Sequence, residues 1–392
     1  MPDRPRLVVA VTASISTSLL RGQLAYMRER GFDVYFLCSG DETARQFCER
    51  EGATLLDVPM QREISPLADL RSLAGIVREL RRIRPHIVNA GTPKAGLLVT
   101  VGAWIAGVPC RIYNIRGLRL ETTSGRLRAI LTLCERTAAR LAHRVLCIGP
   151  SLLRLCRELN LFPEGKGKVL GEGSSNGLNT DRFTRTPEIE QRARQLREEH
   201  AIPPQARVLG FVGRIVPDKG IVELVDAWRR LREDYADLHL LVVGPFEEGN
   251  PAPPDTRETL ENDPRVHLTG HVTNMPPYYA AMDILAVPTY REGFGNVFLE
   301  ASAMEIPAVG TRVSGCMDAI ADGLTGTLVP PRDPEALAEA IRAYLDDPAL
   351  ASTHARQGRA RVLRSFRPEV IWQNLFDEYV ALLRARGLPT PD

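Results

Sequence analysis

Arg214 and Lys219 stand five residues apart in GRIVPDKG (Gly213–Gly220), and Glu292 and Glu300 stand eight apart in REGFGNVFLEASAM (Arg291–Met304). Two cations followed by two carboxylates suit a ligand that carries both phosphate and hydroxyl groups. GRIVPDKG lies between the apolar run ARVLGFVG and the amphipathic stretch IVELVDAWRRLRED, so a strand-to-helix loop is expected there. Amides at a helix amino terminus, together with the helix dipole, favour an anion at such a place. An arginine fork and a lysine point charge suit a diphosphate; the alternative is a solvated loop with a surface lysine. Lysine is scarce, with only Lys94, Lys166, Lys168 and Lys219 among 50 basic residues, so each position invites a specific question.

In the second segment Glu292 precedes Gly293, Phe294 and Gly295, and the two glycines let a ligand approach the backbone closely. A helix is expected to start near Asn296, with Glu300 about one turn in. Eight residues span roughly 12 Å if helical, comparable to the separation of sugar ring and ribose in a nucleotide sugar. One carboxylate could hold sugar hydroxyls and the other a ribose diol, with the intervening amides toward a diphosphate. The alternative is a helix-terminal acid at Glu292 and a solvated Glu300.

A third segment, TPKAG (Thr92–Gly96), reads as Thr92 at the N-cap, Pro93 at the first helical position and Lys94 in the first turn. A cation there opposes the macrodipole, which suggests an anionic partner unless the ammonium swings out into water. GEGSSNG (Gly171–Gly177) precedes turn-like LNTDRF and not a helix, so it reads as an interdomain turn in which Ser174, Ser175 and Asn176 could touch ligand. His271 could line the cleft but reads more readily as a satisfied structural histidine, and Arg81, Arg82 and Arg84 read as a solvated face. No HExxH, metal-spaced His/Cys cluster, GxSxG elbow or GxxxxGK[ST] loop occurs, and neither metal nor cofactor is called for.

Two cycles of alternating strand and helix must position these residues, the pattern of an α/β fold with parallel sheets. LVVAV, DVYFLC, HIVNA, CRIYNI and RVLCIG are the expected strands of the first; ARVLGFVG, LHLLVVG, RVHLTG, DILAVP, PAVGT and GTLVP those of the second. Leu20, Leu24 and Met27 form one core stripe, and Leu127, Ile130, Leu131, Cys134, Ala138 and Leu141 a longer one. VLGEGSSNGLNTDRF (Val169–Phe183) reads as the connector, and after Pro334 the chain reads as helical almost to its end. Two successive open parallel sheets are expected to place a ligand cleft between the domains, at the carboxyl ends of the strands.

The formal net charge of +2 hides a split: residues 1–170 carry 26 Lys+Arg against 15 Asp+Glu (+11), leaving 24 against 33 (−9) for residues 171–392. Near-neutrality argues against a dedicated nucleic-acid binder, whereas the basic half suits an anionic surface. Seven cysteines form no CxxC pair and no closely spaced framework, which points to a reducing compartment. The start lacks a signal-peptide pattern, and the longest apolar stretch, Ala95–Pro109, falls short of the ~20 residues that span a bilayer. A soluble or peripheral protein is expected.

GRIVPDKG, the Glu292/Glu300 pair 78 residues beyond Arg214, and NGLNTDRF together resemble the retaining GT-B glycosyltransferases of family four. TPKAGLL, IRGLRLET, GSSNGLN and YREGFGNVFLEASAMEIP look like the bacterial branch that assembles capsule, exopolysaccharide and lipid-linked glycans. The resemblance implies two Rossmann-like domains facing across a deep cleft: residues 1–172 for the acceptor, 173–365 for the nucleotide sugar, and a helix over 366–392 packing back on the first. It implies catalytic roles for Glu292, Arg214 and Lys219. Donor contacts would come from Gly213, Arg214, Lys219, Glu292, Gly293, Phe294, Gly295, Asn296 and Glu300. Acceptor-side residues would be Ser14 and Ser16, in a Ser/Thr-rich loop where many relatives are glycine-rich, with Lys94 and Arg116. Arg116 stands where many relatives have histidine, and an anion contact is expected of it.

The implied function is metal-independent transfer of a hexose or N-acetylhexosamine from a nucleotide sugar, with a UDP-sugar favoured, to a polyprenyl-diphosphate-linked glycan. The expected location is cytoplasmic, on the inner face of the membrane, with an anionic membrane surface as a partner and no nucleic acid. The alternatives are a soluble glycosyltransferase with a small-molecule acceptor and, further off, a GT-B sugar-nucleotide epimerase.

Overall fold

Aliphatic runs buried on both faces become parallel strands joined by helical crossovers. The computed structural model describes residues 4–61, 63 and 65–391, in two units: residues 1–177 with 368–392, and residues 178–367. The strands of the first unit are β1 (Arg6–Ala13), β2 (Asp33–Ser39), β3 (Thr54–Asp57), β4 (Ile87–Gly91), β5 (Cys110–Ile115), β6 (Arg144–Cys147) and β7 (Gly167–Lys168). They lie in the order β3-β2-β1-β4-β5-β6-β7, every pairing parallel. Helices α1 (Gln23–Glu29), α2 (Glu42–Glu51), α3 (Pro66–Ile83), α4 (Pro93–Ile105), α5 (Gly125–Leu141) and α6 (Pro150–Glu158) connect them.

Along β1, Leu7, Val9 and Val11 belong to one apolar layer, with Phe32 and Phe36, while Val8 and Ala10 face another, with Ile76 and Val99. This is the period-two alternation of a sheet covered on both sides. Two strands escaped the reading of the sequence. TLLD (β3) is a short run at the sheet edge, and the two-residue β7 is held by its pairing to β6.

The second unit contains β8 (Arg207–Val212), β9 (Leu238–Val243), β10 (Val266–Leu268), β11 (Ile284–Val287), β12 (Ala308–Thr311) and β13 (Thr327–Val329), in the order β10-β9-β8-β11-β12-β13. All these pairings are parallel. Its helices are α7 (Pro187–Glu199), α8 (Ile221–Asp234), α9 (Pro254–Asn262), α10 (Pro276–Ala280), α11 (Asn296–Ala303), α12 (Cys316–Ala319), α13 (Pro334–Asp346) and α14 (Pro348–Ser365).

The last helix, α15 (Pro368–Arg384), belongs to the first unit. Leu375, Tyr379 and Leu383 complete the apolar layer around Phe32, and Phe32 meets Tyr379 edge-on with ring centres 5.9 Å apart. Buried Asn89 donates from Nδ2 to Tyr379 Oη at 2.6 Å, and Trp372 Nε1 donates to Asn176 Oδ1 at 2.8 Å.

The stripe expected to make α5 an ordinary core helix is corrected. Ala138 is buried, but Leu127 and Ile130 are exposed, as is neighbouring Leu133, because α5 meets the unit through Glu135, Ala138 and Ala139. Leu20, Leu24 and Met27 are buried as read. All seven cysteines are free thiols. Among the described residues no helix is long and apolar enough to cross a membrane.

Candidate functional site

In the second unit strand order reverses between β8 and β11, and the carboxyl ends of strands at such a switch point are where open α/β sheets bind ligands. The chain leaves β8 at Gly213, Arg214 and the 3-10 turn Pro217–Lys219, and leaves β11 toward Glu292. The two loops are tied together by backbone. Tyr290 N donates to Asp218 O at 2.9 Å, and the Thr289 hydroxyl lies 3.1 Å from the same carbonyl. Gly220, at φ 74°, begins α8; a Cβ there would sit 2.0 Å from the Pro288 carbonyl oxygen, so only glycine permits this approach.

That approach brings Lys219 Nζ to 2.5 Å from Glu292 Oε2, both side chains being 21% exposed. Glu292 lies ahead of α11 and pairs with the lysine, so it is not the helix-terminal acid of the alternative reading. Gly293 N also donates to Glu292 Oε1 at 3.2 Å. Arg214 forms an ion pair with Glu247, beyond β9, at the more exposed rim. Both expected phosphate cations are thus held by carboxylates.

Helix α11 starts at Asn296, as read, and Gly295 caps it in the left-handed region at φ 75°. Phe294 is buried against Phe366, ring centres 5.6 Å apart, so its side chain is a packing residue. Glu300 is half-buried and paired, not a freely solvated acid. It accepts a hydrogen bond from Tyr279 Oη at 2.8 Å, and burial pushes its carboxyl up to about 6 despite that bond and the charge of Arg182. Tyr279 is a residue that the sequence reading missed: it falls 21 positions from Glu300, on another helix, and nothing in its local pattern marks it. His271 is exposed on the wall of a 280 Å³ pocket with Thr273 and Tyr278, correcting its reading as a satisfied structural histidine.

The first unit gathers a polar cluster at the carboxyl ends of β1, β4 and β5. Thr92 occupies the N-cap of α4, but its hydroxyl is turned to that of Thr12, 2.8 Å away. Thr12 Oγ1 accepts from Ala95 N at 3.2 Å and so does the capping. Lys94 neither swings into water nor stands open to an anion: its ammonium bonds Asp69 Oδ1 at 2.7 Å and the Glu63 carbonyl. Ser14 donates to Asp41 Oδ2 at 2.5 Å, and Ser16 is half-buried in the adjoining 3-10 helix Ser14–Leu19. Arg116 donates to Ser175, through its carbonyl at 3.0 Å and its hydroxyl, while its buried Nε has no partner. Burial lowers its guanidinium to about 10. Asn176 bonds Trp372 and the Arg21 carbonyl. Among the described residues no three His, Cys, Asp or Glu side chains gather in a way that could hold a metal ion.

Residues 206–347 match the model described as glycosyl transferases group 1, and residues 17–173 match the glycosyl transferase 4-like domain. The chain is 37% identical over 375 residues to the capsular polysaccharide biosynthesis glycosyltransferase CapM of Staphylococcus aureus, covering 95% of this chain and 96% of that protein. The chain belongs to the family-four glycosyltransferases. The enzyme is also 23% identical over 340 residues to the UDP-Gal:alpha-D-GlcNAc-diphosphoundecaprenol alpha-1,3-galactosyltransferase of Escherichia coli, covering 86% and 85% of the two chains. Its fold matches that of Anabaena HepE in complex with UDP at TM-score 0.78 and 20% identity, over 96% of this glycosyltransferase and 100% of that chain. The two Rossmann-like sheets are those of a GT-B enzyme.

Within this glycosyltransferase the second unit brings together Lys219, Glu292, Gly293 and Gly295, with Arg214 on the adjoining loop and Glu300 in α11. The first unit gathers Ser14 and Arg116 at its strand ends and commits Lys94 to Asp69.

Proposed function

We propose that the enzyme is a retaining glycosyltransferase that moves a hexose or N-acetylhexosamine from a nucleotide sugar, preferably a UDP-sugar, to a polyprenyl-diphosphate-linked glycan during assembly of a capsular or related surface polysaccharide. The observation that carries this reading is the Lys219–Glu292 pair at the switch point of the second sheet, beside Arg214 and ahead of α11. The similarity to CapM supports the polysaccharide, and the similarity to the E. coli diphosphoundecaprenol galactosyltransferase supports the lipid-diphosphate acceptor and UDP.

In this reading Arg214 and Lys219 exchange their carboxylate partners for the departing diphosphate, stabilising charge as it develops. Glu300 accepts hydrogen bonds from the ribose diol, and Glu292 with the Gly293–Gly295 amides holds the donor sugar. The leaving phosphate oxygen takes the acceptor proton on the face it departs from, so the anomeric configuration is kept. No metal enters these steps. The basic first unit holds the acceptor at the cytoplasmic face of the membrane, with Ser14, Ser16, Lys94 and Arg116 as its candidate contacts.

The test supplies a panel of nucleotide sugars with either a polyprenyl-diphosphate glycan or a soluble acceptor. A ligand that binds only the folded state raises the melting temperature, which selects the donor; product analysis then gives the acceptor and the anomeric configuration. Transfer to the lipid-linked glycan with retention is expected. Transfer to the soluble acceptor alone, or a new sugar nucleotide without acceptor, would replace this reading with the small-molecule transferase or the epimerase.

A further inference from the structure

The loop after β11 is laid along the start of α8, and one side-chain bond in that junction touches neither Lys219 nor Glu292. Tyr290 Oη donates to Glu223 Oε1 at 2.5 Å, across 67 residues of chain. Glu223 is the third residue of α8, four positions beyond Lys219, and Tyr290 stands two positions before Glu292. The bond therefore joins the same two segments as the ion pair, one step behind it.

Glu223 is 8% exposed, an uncommon place for a carboxylate. Its Oε2 is buried without a hydrogen-bond partner among the described residues, while Oε1 takes the Tyr290 hydroxyl. The first-turn position lets the α8 dipole favour the charge. Burial, together with the Glu223 carboxylate, pushes the Tyr290 hydroxyl above its ordinary value, so it stays a donor at neutral pH. The exposed guanidinium of Arg332 covers the Tyr290 ring, with Cζ 4.7 Å from the ring centre. An acid held buried against its desolvation cost, with one oxygen bonded and one not, makes that single bond a specific contact and not packing alone.

The neighbouring ties differ in kind. Backbone groups fix the stem of the loop: Tyr290 N and the Thr289 hydroxyl both reach Asp218 O, and the Thr311 hydroxyl donates to Thr289 O. Toward its tip the loop is held by Tyr290–Glu223 and by Lys219–Glu292. Under the proposed function the second of these opens whenever a diphosphate takes Lys219. A carboxylate and the phenol bonded to it offer an incoming anion nothing, so the first stays closed.

We infer that Glu223 and Tyr290 are positioning residues: their hydrogen bond keeps the Glu292 loop in register with α8 while the diphosphate engages Lys219, so that Glu292 stays at the donor sugar after losing its partner. The inference rests on the reading that a nucleoside diphosphate opens the ion pair. Misplacing a reacting group by about 1 Å lowers the rate on the order of a hundredfold, and the second tie guards against that.

The test is hydrogen exchange in the full chain, with and without UDP, over the segment 288–293, which includes the Tyr290 amide bonded to Asp218. In wild type the segment should exchange no faster with UDP than without. Y290F should match wild type without UDP and exchange about tenfold faster than wild type with it, the scale of one hydrogen bond to a charged group. E223L, which removes the acceptor without stranding a charge, should behave as Y290F does. E223Q keeps an acceptor for the hydroxyl and should behave as wild type. K219A opens the pair with no nucleotide, so K219A/Y290F without UDP should exchange about tenfold faster than either single variant. Exchange in Y290F and E223L that stays at the wild-type rate with UDP overturns the inference. So does exchange raised by the same factor with and without UDP, which marks a purely structural contact, and so does K219A/Y290F behaving as K219A. Wild type without a thermal shift in UDP refutes the diphosphate reading instead, and the comparison of K219A with K219A/Y290F still decides whether the Tyr290–Glu223 bond holds the loop.

Discussion

Lys219 Nζ and Glu292 Oε2 lie 2.5 Å apart, joining the loop after β8 to the loop after β11 across 73 residues of chain. Each charge satisfies the other in a partly enclosed place, so under the proposed function an incoming diphosphate competes with Glu292 for Lys219. In the proposed reading, separation of the pair and occupation of the site are one event.

Replacing Lys219 with Ala should lower turnover on the order of a hundredfold or more, the usual scale for removing a donor aimed at developing negative charge. Glu292→Gln should also lose transfer, yet it should bind free UDP several-fold more tightly, because the lysine no longer has a carboxylate to leave. Titration calorimetry with UDP checks this; weaker UDP binding by the Gln variant would contradict the competition.

Donor binding should depend on pH through Glu300. Its carboxyl is raised to about 6 by burial, so it accepts hydrogen bonds from a diol as a carboxylate only above that pH. Donor affinity should therefore weaken as pH falls through about 6. The Tyr279 hydroxyl holds the carboxyl lower than burial alone would, and Tyr279→Phe should move the midpoint upward. Dissociation constants measured across the pH range give the midpoint, and an unmoved midpoint in the Phe variant would remove Tyr279 from this role.

Acid stability should be governed partly by histidines kept neutral. His267 is lowered to about 4, chiefly by burial, and faces the lowered His239 at 2.9 Å; in the first unit His143 is also lowered to about 4. Between the ordinary value near 6.5 and 4 the unfolded chain binds more protons than the folded one, so these groups cost stability as pH falls through that window. Glu135 and Glu300, raised to about 7 and about 6, act in the opposite sense. The difference between wild type and His267→Gln therefore isolates the effect. Urea unfolding at several pH values should show a shallower acid loss in the Gln variant.

Removing residues 368–392 should abolish folding of the first unit, because Leu375, Tyr379 and Leu383 are part of the layer around Phe32. Tyr379→Phe leaves the buried amide of Asn89 without its partner and should cost ~1–3 kcal/mol. Chemical denaturation measures the second, and protease sensitivity of the first unit's sheet reports the first. A truncated chain with native resistance would show that α15 is dispensable.

The amino-acid order by itself determined the alternation of strand and helix, the division into two parallel sheets and which four charged residues stand as candidates for the site. Hydrophobic period and local spacing are properties of neighbouring residues, legible without coordinates. It determined as well that α5 is amphipathic and that Thr92 and Pro93 open a helix. Tertiary structure decided what each group meets. It paired Lys219 with Glu292 and Lys94 with Asp69, gave the capping of α4 to Thr12, and set Tyr279 against Glu300. It also left Leu127 and Ile130 outside. The physical reason is common to all five: burial and pairing depend on which distant segment arrives beside a residue, and a periodic stripe records that a face is apolar without recording what covers it.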